Sequence, residues 1–208
     1  PMEIKIVDNE GAEMERGKSG EILIKGENVM AGYWKNPKST SETVIDGWLH
    51  TGDLGYFDKD GFLYVLGRFK SLLIASDGEK YSPEGIEEAI VGNSKIIQQI
   101  MLYNNQSPYT IAVISADKSK LRGRELVDAV SKEINKYKGN GEYSGMFPER
   151  WLPATFVIAD EPFTEQNKMI NSTLKMVRSK VEQVYAERIK YAYTPEGKNI
   201  YNKYNLEQ

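Results

Sequence analysis

Hydrophobic and polar residues alternate along the first third of the chain. The runs EIKIV (residues 3–7) and GEILIKG (residues 20–26) carry apolar side chains at every second position, which predicts two half-buried strands. A polar stretch around Pro37 predicts a loop with a short helix. Two short apolar segments flank Asp58-Lys59-Asp60-Gly61 and predict a hairpin, with Gly61 as its left-handed turn residue. This part of the chain is therefore predicted to be rich in β-structure.

The pattern changes after Gly67 to a mixture of helical and strand-like spacing. Ser82-Pro83 predicts the start of a helix that stops at Gly92. The apolar runs KIIQQIMLY and YTIAVIS, joined by NNQSP, predict two strands connected as a hairpin. A longer helix is predicted next, and its apolar stripe consists of Leu126, Val127, Val130, Ile134 and Tyr137.

The last third is predicted to contain an irregular segment, a strand and a final helix. GNGEYSGMFPER (residues 139–150) is loop by composition, and TFVIAD (residues 155–160) is a strand candidate. The final helix is predicted to start near Ser172 and to bury Leu174, Val177, Val181, Val184, Tyr185 and Ile189. Residues 191–208 show no periodicity. The expected fold class is α+β, with a β-rich part over residues 1–69 and a small mixed α/β domain over residues 70–208.

Composition and charge argue against several classes of function. The 208 residues carry a net charge of −3, whereas a nucleic-acid-binding protein needs a basic surface. The chain has no cysteine and one histidine, so it can form neither disulfides nor thiolate metal sites, and no metal site is expected. No stretch approaches the ~20 apolar residues of a membrane-spanning helix. We expect a cytoplasmic protein without a transmembrane segment; peripheral attachment to a membrane stays open.

Two charged residues are the first candidates for chemistry. Thr51-Gly52-Asp53 is predicted to be a loop in which the carboxylate can accept hydrogen bonds from two ribose hydroxyls. A turn aspartate that caps its own backbone would have the same sequence. Arg68 follows at the end of a strand, and the hairpin between them can bring the two side chains together. Further on, Lys175, Arg178 and Lys180 form a basic cluster that, taken alone, is typical of a solvated helix face.

The surroundings of these residues resemble a known family. The run GWLHTGDLGYFDKDGFLYVLGRFKSLLIASDGEKYSPEGIE (residues 47–87) resembles the paired signature of the acyl-adenylate-forming superfamily, which includes acyl-CoA synthetases, nonribosomal adenylation domains and beetle luciferases. GEILIKGENVMAGYWKNPKST (residues 20–40) resembles the segment that precedes it. SDGEKYSPEGIEE and PFTEQNKMINSTLKMVR are most similar to long-chain fatty acid CoA ligases. The chain departs from the usual spelling at Asn167-Lys168 and Asn171-Ser172, and residues 139–151 are longer than expected.

The resemblance implies roles for residues on both sides of residue 70. Asp53 is expected to bind the ribose hydroxyls of ATP and AMP, with Arg68 assisting at the ribose and phosphate. Val65 is expected to pack near the nucleotide, although an ordinary strand residue explains it nearly as well. Lys70 is expected to be the hinge about which the C-terminal domain, the lid, rotates.

Within the lid, the resemblance implies two further sites. Gly78, Glu79 and Lys80 are expected to line the path of the CoA pantetheine after the rotation. Lys175 is expected to be the catalytic lysine, which offsets the repulsion between the attacking carboxylate and the α-phosphate. Its predicted position in the first turn of the final helix suits that role. Two alternatives stay open: Lys168 takes the catalytic role, or Lys175 is an ordinary solvated surface lysine.

The resemblance as a whole implies the C-terminal part of an AMP-forming fatty acid CoA ligase, inactive alone. Its expected substrates are a carboxylic acid, ATP and CoA, with Mg²⁺ and the phosphates bound mainly by a large N-terminal domain of the same enzyme. No glycine-rich phosphate loop is found in the sequence. One alternative is an adenylating enzyme that loads an acyl carrier protein. Another is a binding module that keeps the lid fold without catalysis.

Overall fold

The protein is described from a computed structural model, which covers residues 1–8 and 10–208 and, at Lys70, the backbone only. The chain divides into two compact units, Pro1–Leu72 and Leu73–Gln208. No helix in the described ranges combines the length and apolar character needed to cross a bilayer.

The first unit is built on one β-sheet, as its alternating pattern predicts. Its strands are β1 (Glu3–Val7), β2 (Gly20–Lys25), β3 (Val44–Ile45), β4 (Trp48–Phe57) and β5 (Leu63–Arg68). They form the order β1-β2-β4-β3, and β5 also pairs with β4. The predicted short helix is α1 (Pro37–Thr43), which Asn36 caps by accepting a 3.1 Å hydrogen bond from the Ser39 N–H. A small core consists of Ile6, Val7, Ile22, Leu23 and Leu54.

Strand β4 corrects one prediction and confirms another. Thr51-Gly52-Asp53 lies inside this ten-residue strand and not in a loop. The loop was a wrong prediction because Gly52, at a φ of 70°, bends the strand without ending it. The β4–β5 hairpin is confirmed, including the left-handed Gly61, whose φ is 89°.

The second unit packs helices on both faces of a central sheet. That sheet has the order β11-β10-β8, formed by β8 (Ile97–Tyr103), β10 (Ile111–Ala116) and β11 (Thr155–Ile158). Helices α2 (Glu84–Gly92) and α3 (Gly123–Asn135) cover one face, and α4 (Arg178–Ala192) covers the other. Every residue of β10 is buried, because both of its faces meet helices. A second, small sheet pairs β6 (Leu73–Ala75) with β7 (Lys80–Tyr81) and β9 (Asn105–Ser107).

The predicted elements of this unit are largely confirmed, with corrections near its C-terminus. The final helix begins at Arg178 and not near Ser172, and Leu174 is 80% exposed instead of buried. Val184, predicted to be buried, is also exposed. The tail contains two short helices, α5 (Pro195–Lys198) and α6 (Lys203–Leu206). From α6 the buried Asn205 accepts from the Ile158 N–H (2.9 Å) and donates to the Phe156 carbonyl (3.0 Å), which satisfies the free edge of β11.

Candidate functional site

Asp53 and Arg68 meet across the β4–β5 hairpin. They are direct partners in the strand register, and Arg68 Nε lies 3.1 Å from Asp53 Oδ1. Arg68 Nη1 also donates to the Thr51 carbonyl at 3.0 Å. The Asp53 side chain is 34% exposed and that of Arg68 is 55% exposed. The pair therefore presents a carboxylate oxygen and guanidinium N–H groups to a ligand, a combination that suits vicinal hydroxyls beside an anionic group.

Strand β4 pairs irregularly with both of its neighbours, β2 and β5, near Asp53, and this irregularity sets the direction of the Asp53 side chain. Toward β2, the register moves from Glu21↔Leu54 to Leu23↔His50, so three residues of β4 face one residue of β2. A bulge of this kind re-aims side chains and is frequent at functional sites. Thr51 Oγ1 secures it by donating to the Ile22 carbonyl (2.7 Å) and accepting from the Asp53 N–H (3.0 Å).

Glu21 secures the same bulge from the neighbouring strand. Its Oε1 accepts from the Gly52 N–H at 3.1 Å, and its Oε2 lies 3.0 Å from His50 Nδ1. The chain's single histidine thus contacts a structural carboxylate, in keeping with a structural role. The role of Glu21 was not predicted from the sequence, because twenty-nine positions separate it from His50. Only the pairing of β2 with β4, which the sequence does not specify, brings them together.

A cleft of about 550 Å³ lies beside Arg68, and its lining includes Glu21, Tyr33, Asn36, His50 and Gly52. Its volume falls within the range of small-molecule sites. Asp53 is not among its lining residues. Val65, on β5, pairs with Gly55 of β4 and is 63% exposed. An exposed apolar side chain at this position can contact a planar ring.

In the second unit, Gly78 and Glu79 lie in the turn between β6 and β7, and Lys80 is the first residue of β7; residues 76–80 are called the Gly78 loop. The Gly78 N–H donates to the Ala75 carbonyl at 3.0 Å, and the Ala75 N–H donates to the Glu79 carbonyl at 2.9 Å. Gly78 has a φ of 86°, which favours glycine. A Cβ built on it would meet no atom of the described chain within 4 Å, so this side of the turn is open.

The Glu79 carboxylate is held by the segment that precedes β11. Arg150 donates to it from Nε and Nη2, both at 2.6 Å, and Trp151 Nε1 donates at 3.1 Å. These hydrogen bonds lower the pKa of Glu79 to about 2. Glu79 is consequently ionised and engaged at neutral pH. This anchoring, to residues seventy-one and seventy-two positions away, could not be predicted from the sequence.

Lys175 lies in a hairpin turn and not in a helix (residues 168–177, the Lys175 hairpin). Ile170 and Met176 form its antiparallel bridge. Asn171 Oδ1 closes the turn by accepting from the N–H groups of Thr173 (3.0 Å) and Lys175 (2.9 Å) and from the Thr173 hydroxyl (2.8 Å). The helical position predicted for Lys175 was wrong because this Asn side chain offers the backbone an alternative to helix. Lys175 and Lys168 are both exposed.

A buried ion pair lies directly after the Lys175 hairpin. Arg178, the first residue of α4, donates to the carboxylate of Glu87, which is 9% exposed on α2. Glu87 also accepts from the Leu102 N–H at 2.6 Å, and Arg178 Nη1 donates to the Leu102 carbonyl at 3.3 Å. Burial raises the pKa of Glu87 although Arg178 partly offsets the effect. The interpretation of Arg178 as part of a solvated face was wrong.

The predicted site residues thus fall into three groups. Asp53 and Arg68 come together in the first unit, while the Gly78 loop and the Lys175 hairpin belong to the second. Lys70 lies in a short 3₁₀ turn, Phe69–Ser71, next to the boundary between the units; its side chain lies outside the described part of the structure. Within residues 1–8 and 10–208, no three Asp, Glu or His side chains converge as metal ligands would.

Comparison with known proteins identifies the family to which the chain belongs. Residues 70–197 match the model of the AMP-binding enzyme C-terminal domain. A 2-succinylbenzoate–CoA ligase of Bacillus cytotoxicus is 36% identical over 66% of this chain and 29% of its own length. A long-chain-fatty-acid–CoA ligase of Mycobacterium tuberculosis is 29% identical over 89% of this chain and 33% of its own length.

A solved structure shows the same fold with a nucleotide bound. The adenylation domain of a carboxylic acid reductase from Segniliparus rugosus, in complex with AMP and a co-purified carboxylic acid, superposes with a TM-score of 0.73. It is 26% identical, over 92% of this chain and 31% of that chain. The chain therefore spans about a third of the length of the proteins it matches.

Proposed function

Because the chain belongs to the AMP-binding enzymes and carries their C-terminal domain, we propose that it supplies the ribose grip and the lid of an AMP-forming acid–thiol ligase. The reaction has two halves. A carboxylate attacks the α-phosphate of ATP, giving acyl-AMP and pyrophosphate. The CoA thiol then attacks the acyl carbon, loses its proton, and forms the thioester as AMP leaves.

The pairing of Asp53 with Arg68 carries this proposal. Asp53 Oδ1 faces Arg68 Nε, which leaves Oδ2 without a hydrogen bond to the described residues. We propose that this carboxylate accepts from the ribose hydroxyls and that the free N–H groups of Arg68 donate toward the ribose and phosphate. Val65 would contact the nucleotide through its exposed face. Because the grip lies on paired strands, it is set before the nucleotide arrives.

Lys175 would act in the first half-reaction. Its amine is exposed at the tip of a hairpin and has no hydrogen-bond partner among the described residues. An ammonium group that reaches both the attacking carboxylate and the α-phosphate stabilises the charge that develops between them. Lys168, on the same hairpin, is the alternative donor.

The Gly78 loop would act in the second half-reaction, after the lid turns about Lys70. We assign residues 1–69 to the end of the large domain and residues 70–208 to the lid. Rotation at such a hinge withdraws Lys175 and presents the open side of Gly78 to the CoA pantetheine. One domain then serves both half-reactions in turn.

Magnesium and the β- and γ-phosphates are assigned to a large N-terminal domain. The residues described here offer no cluster of three carboxylate or imidazole ligands, so they do not fit a Mg²⁺ site. The relatives are about three times as long as this chain and have room for such a domain. The chain alone is expected to be inactive.

The acid substrate is the finer part of the proposal. The spelling of residues 162–178 favours a long-chain fatty acid, as does the similarity to the Mycobacterium tuberculosis ligase. Other relatives are named for 2-succinylbenzoate or belong to carboxylic acid reductases. Similarity to the reductases also keeps a carrier protein as an alternative acceptor. Exchange assays with a panel of acids, followed by transfer to CoA or to a carrier protein, separate these candidates.

The decisive experiment measures the two half-reactions separately on the complete enzyme. Lys175→Ala is expected to slow ATP–pyrophosphate exchange by about 10²–10³-fold, the usual effect of removing one charge-stabilising donor. Thioester formation from preformed acyl-AMP should change far less. Lys168→Ala, on the same hairpin, is the matched control and should leave both rates near wild type. Equal losses in both half-reactions for Lys175→Ala, or a larger exchange defect for Lys168→Ala, would contradict the assignment.

A further inference from the structure

The segment between α3 and β11 reaches across the second unit to the Gly78 loop. The family resemblance marks residues 139–151 as longer than expected, and the last two of these residues contact the Gly78 loop. Arg150 and Trp151, at its end, supply three N–H donors to the carboxylate of Glu79. The two Arg150 bonds are parallel and bidentate, which fixes the direction of the carboxylate as well as its position.

Trp151 also fixes the end of the loop where the chain enters β7. Its ring stacks on Tyr81 with the centroids 5.1 Å apart and the planes 7° from parallel. Tyr81 is buried, and its hydroxyl is hydrogen-bonded to the Thr110 hydroxyl and to Asn104 Nδ2. The loop is thereby attached to the sheet behind it through Tyr81 and to residues 150–151 through Glu79.

The segment that presents Arg150 is itself well anchored. Lys138 Nζ donates to the Pro153 carbonyl and so closes the two ends of the segment on each other. The Tyr143 N–H donates to the Lys136 carbonyl at 2.7 Å. The Tyr137 ring packs on Tyr143 (5.1 Å) and Phe147 (6.3 Å). Such a loop, closed at its base and packed by its own side chains, can hold a contact in place.

We propose that Arg150 and Trp151 are positioning residues for the thioester-forming half-reaction. They engage the Glu79 carboxylate fully, so Glu79 serves as the anchor of the loop and not as a contact to CoA. The anchor holds the turn at Gly78, whose open side then faces the pantetheine path. This inference rests on the proposed function of the Gly78 loop and adds to it the residues that keep the loop in shape.

The test uses the complete enzyme and three variants of the contact. Arg150→Ala and Glu79→Gln are expected to slow thioester formation from preformed acyl-AMP by about 10-fold or more, because small displacements at a reacting site have effects of that size. ATP–pyrophosphate exchange should stay within about twofold of wild type, since the lysine hairpin is unchanged. Arg150→Lys keeps the charge but loses the bidentate geometry, so its defect should be intermediate.

Arg188→Ala is the matched control. Arg188 Nη2 donates to both carboxylate oxygens of Asp160, at 2.8 and 3.0 Å, in the same unit but outside the Gly78 loop. The Arg188→Ala variant should form the thioester at close to the wild-type rate. A structural measurement accompanies the kinetics: backbone amides of residues 75–81 should exchange hydrogen faster in Arg150→Ala and Glu79→Gln, and at the wild-type rate in Arg188→Ala.

The outcomes separate the two levels of inference. If Glu79→Gln, which changes one functional group, leaves both thioester formation and amide exchange at wild-type levels, the positioning role is wrong. Equal losses in both half-reactions, or an equal defect in Arg188→Ala, would indicate a general effect on the fold and would also overturn it. If the wild-type enzyme forms no acyl-AMP from any acid, the proposed function fails. Amide hydrogen exchange still decides in that case whether Arg150 orders the Gly78 loop.

Discussion

The hairpin that carries Asp53 and Arg68 and the hairpin that carries Lys175 hold their functional side chains by different means. In the first, β4 pairs with strands on both sides, and the backbone ladder sets Asp53 opposite Arg68. In the second, the Ile170–Met176 bridge and a few backbone hydrogen bonds, among them Asn171 N–H to the Lys175 carbonyl at 2.9 Å, close a short isolated hairpin, and the Asn171 side chain holds its turn. A strand paired on both edges keeps its geometry when one side chain changes, whereas a short hairpin whose turn is closed by one side chain depends more strongly on that side chain.

The largest effect is expected where the lysine hairpin joins α4. Arg178→Ala leaves the carboxylate of Glu87 buried without its cation, and removing one partner of a buried pair typically costs about 3–5 kcal/mol. We expect a loss of that size in the free energy of unfolding, measured by urea denaturation followed by far-UV circular dichroism. Arg188→Ala is the control: Arg188 is 20% exposed, much like Arg178, but its partner Asp160 is 56% exposed and stays hydrated when the cation is removed, so the loss should be clearly smaller than that of Arg178→Ala. Similar losses in the two variants would remove the distinction between them.

A smaller and more local effect is expected at the turn of the same hairpin. Asn171→Ala removes three hydrogen bonds that hold Thr173 and Lys175. Because the turn is exposed, we expect a loss of only about 1 kcal/mol in global stability, but a fall of roughly 10-fold in ATP–pyrophosphate exchange. Asn171→Asp keeps an acceptor oxygen and should remain near wild type. An unchanged ATP–pyrophosphate exchange rate in Asn171→Ala would show that the backbone hydrogen bonds of the hairpin position Lys175 without the Asn171 side chain.

The same difference explains what the sequence could and could not predict. Alternation in residues 3–7 and 20–26 predicts β1 and β2, and Gly61 predicts the turn between β4 and β5, so the hairpin that brings Asp53 to Arg68 follows from a local signal. The Lys175 hairpin was predicted to be a helix because Leu174 and Val177 fit helical spacing. The competing signal was Asn171, whose side chain closes the turn and places Leu174 at a φ of 60°. The contacts of Glu21, Glu87 and Glu79 join distant segments, and no local pattern specifies them.

At the strand-held site, a change of side chain should affect binding but not the fold. Asp53→Asn removes a partly exposed ion pair, so the free energy of unfolding should change by at most about 1 kcal/mol. The KM for ATP should rise about 10–100-fold, because a charge-assisted hydrogen bond contributes about 1.5–3 kcal/mol. Asp58→Asn, in the turn of the same hairpin, keeps the oxygen that accepts from Asp60 and Phe62. It should change neither quantity, and a KM effect as large as that of Asp53→Asn would argue against a specific grip.

The smallest effect concerns pH and contrasts two carboxylates of the second unit. Hydrogen bonds from Arg150 and Trp151 lower the pKa of Glu79 to about 2, so its contribution to stability is present above the unfolded pKa and is lost as pH falls toward 2. Burial raises the pKa of Glu87, so its contribution has the opposite sign: stability is gained as pH falls through the raised pKa toward the unfolded value.

Unfolding free energies of wild type, Glu79→Gln and Glu87→Gln, measured from neutral pH down to about pH 3, test these opposite signs. The advantage of wild type over Glu79→Gln should shrink with acid, and wild type should gain relative to Glu87→Gln over the same range. If the free energies of unfolding of the two variants change with pH in parallel, burial does not distinguish Glu87 from Glu79. Opposite slopes would show that the fold keeps Glu87 buried despite the cost of desolvating its carboxylate, whereas Glu79 contributes to stability through its hydrogen bonds.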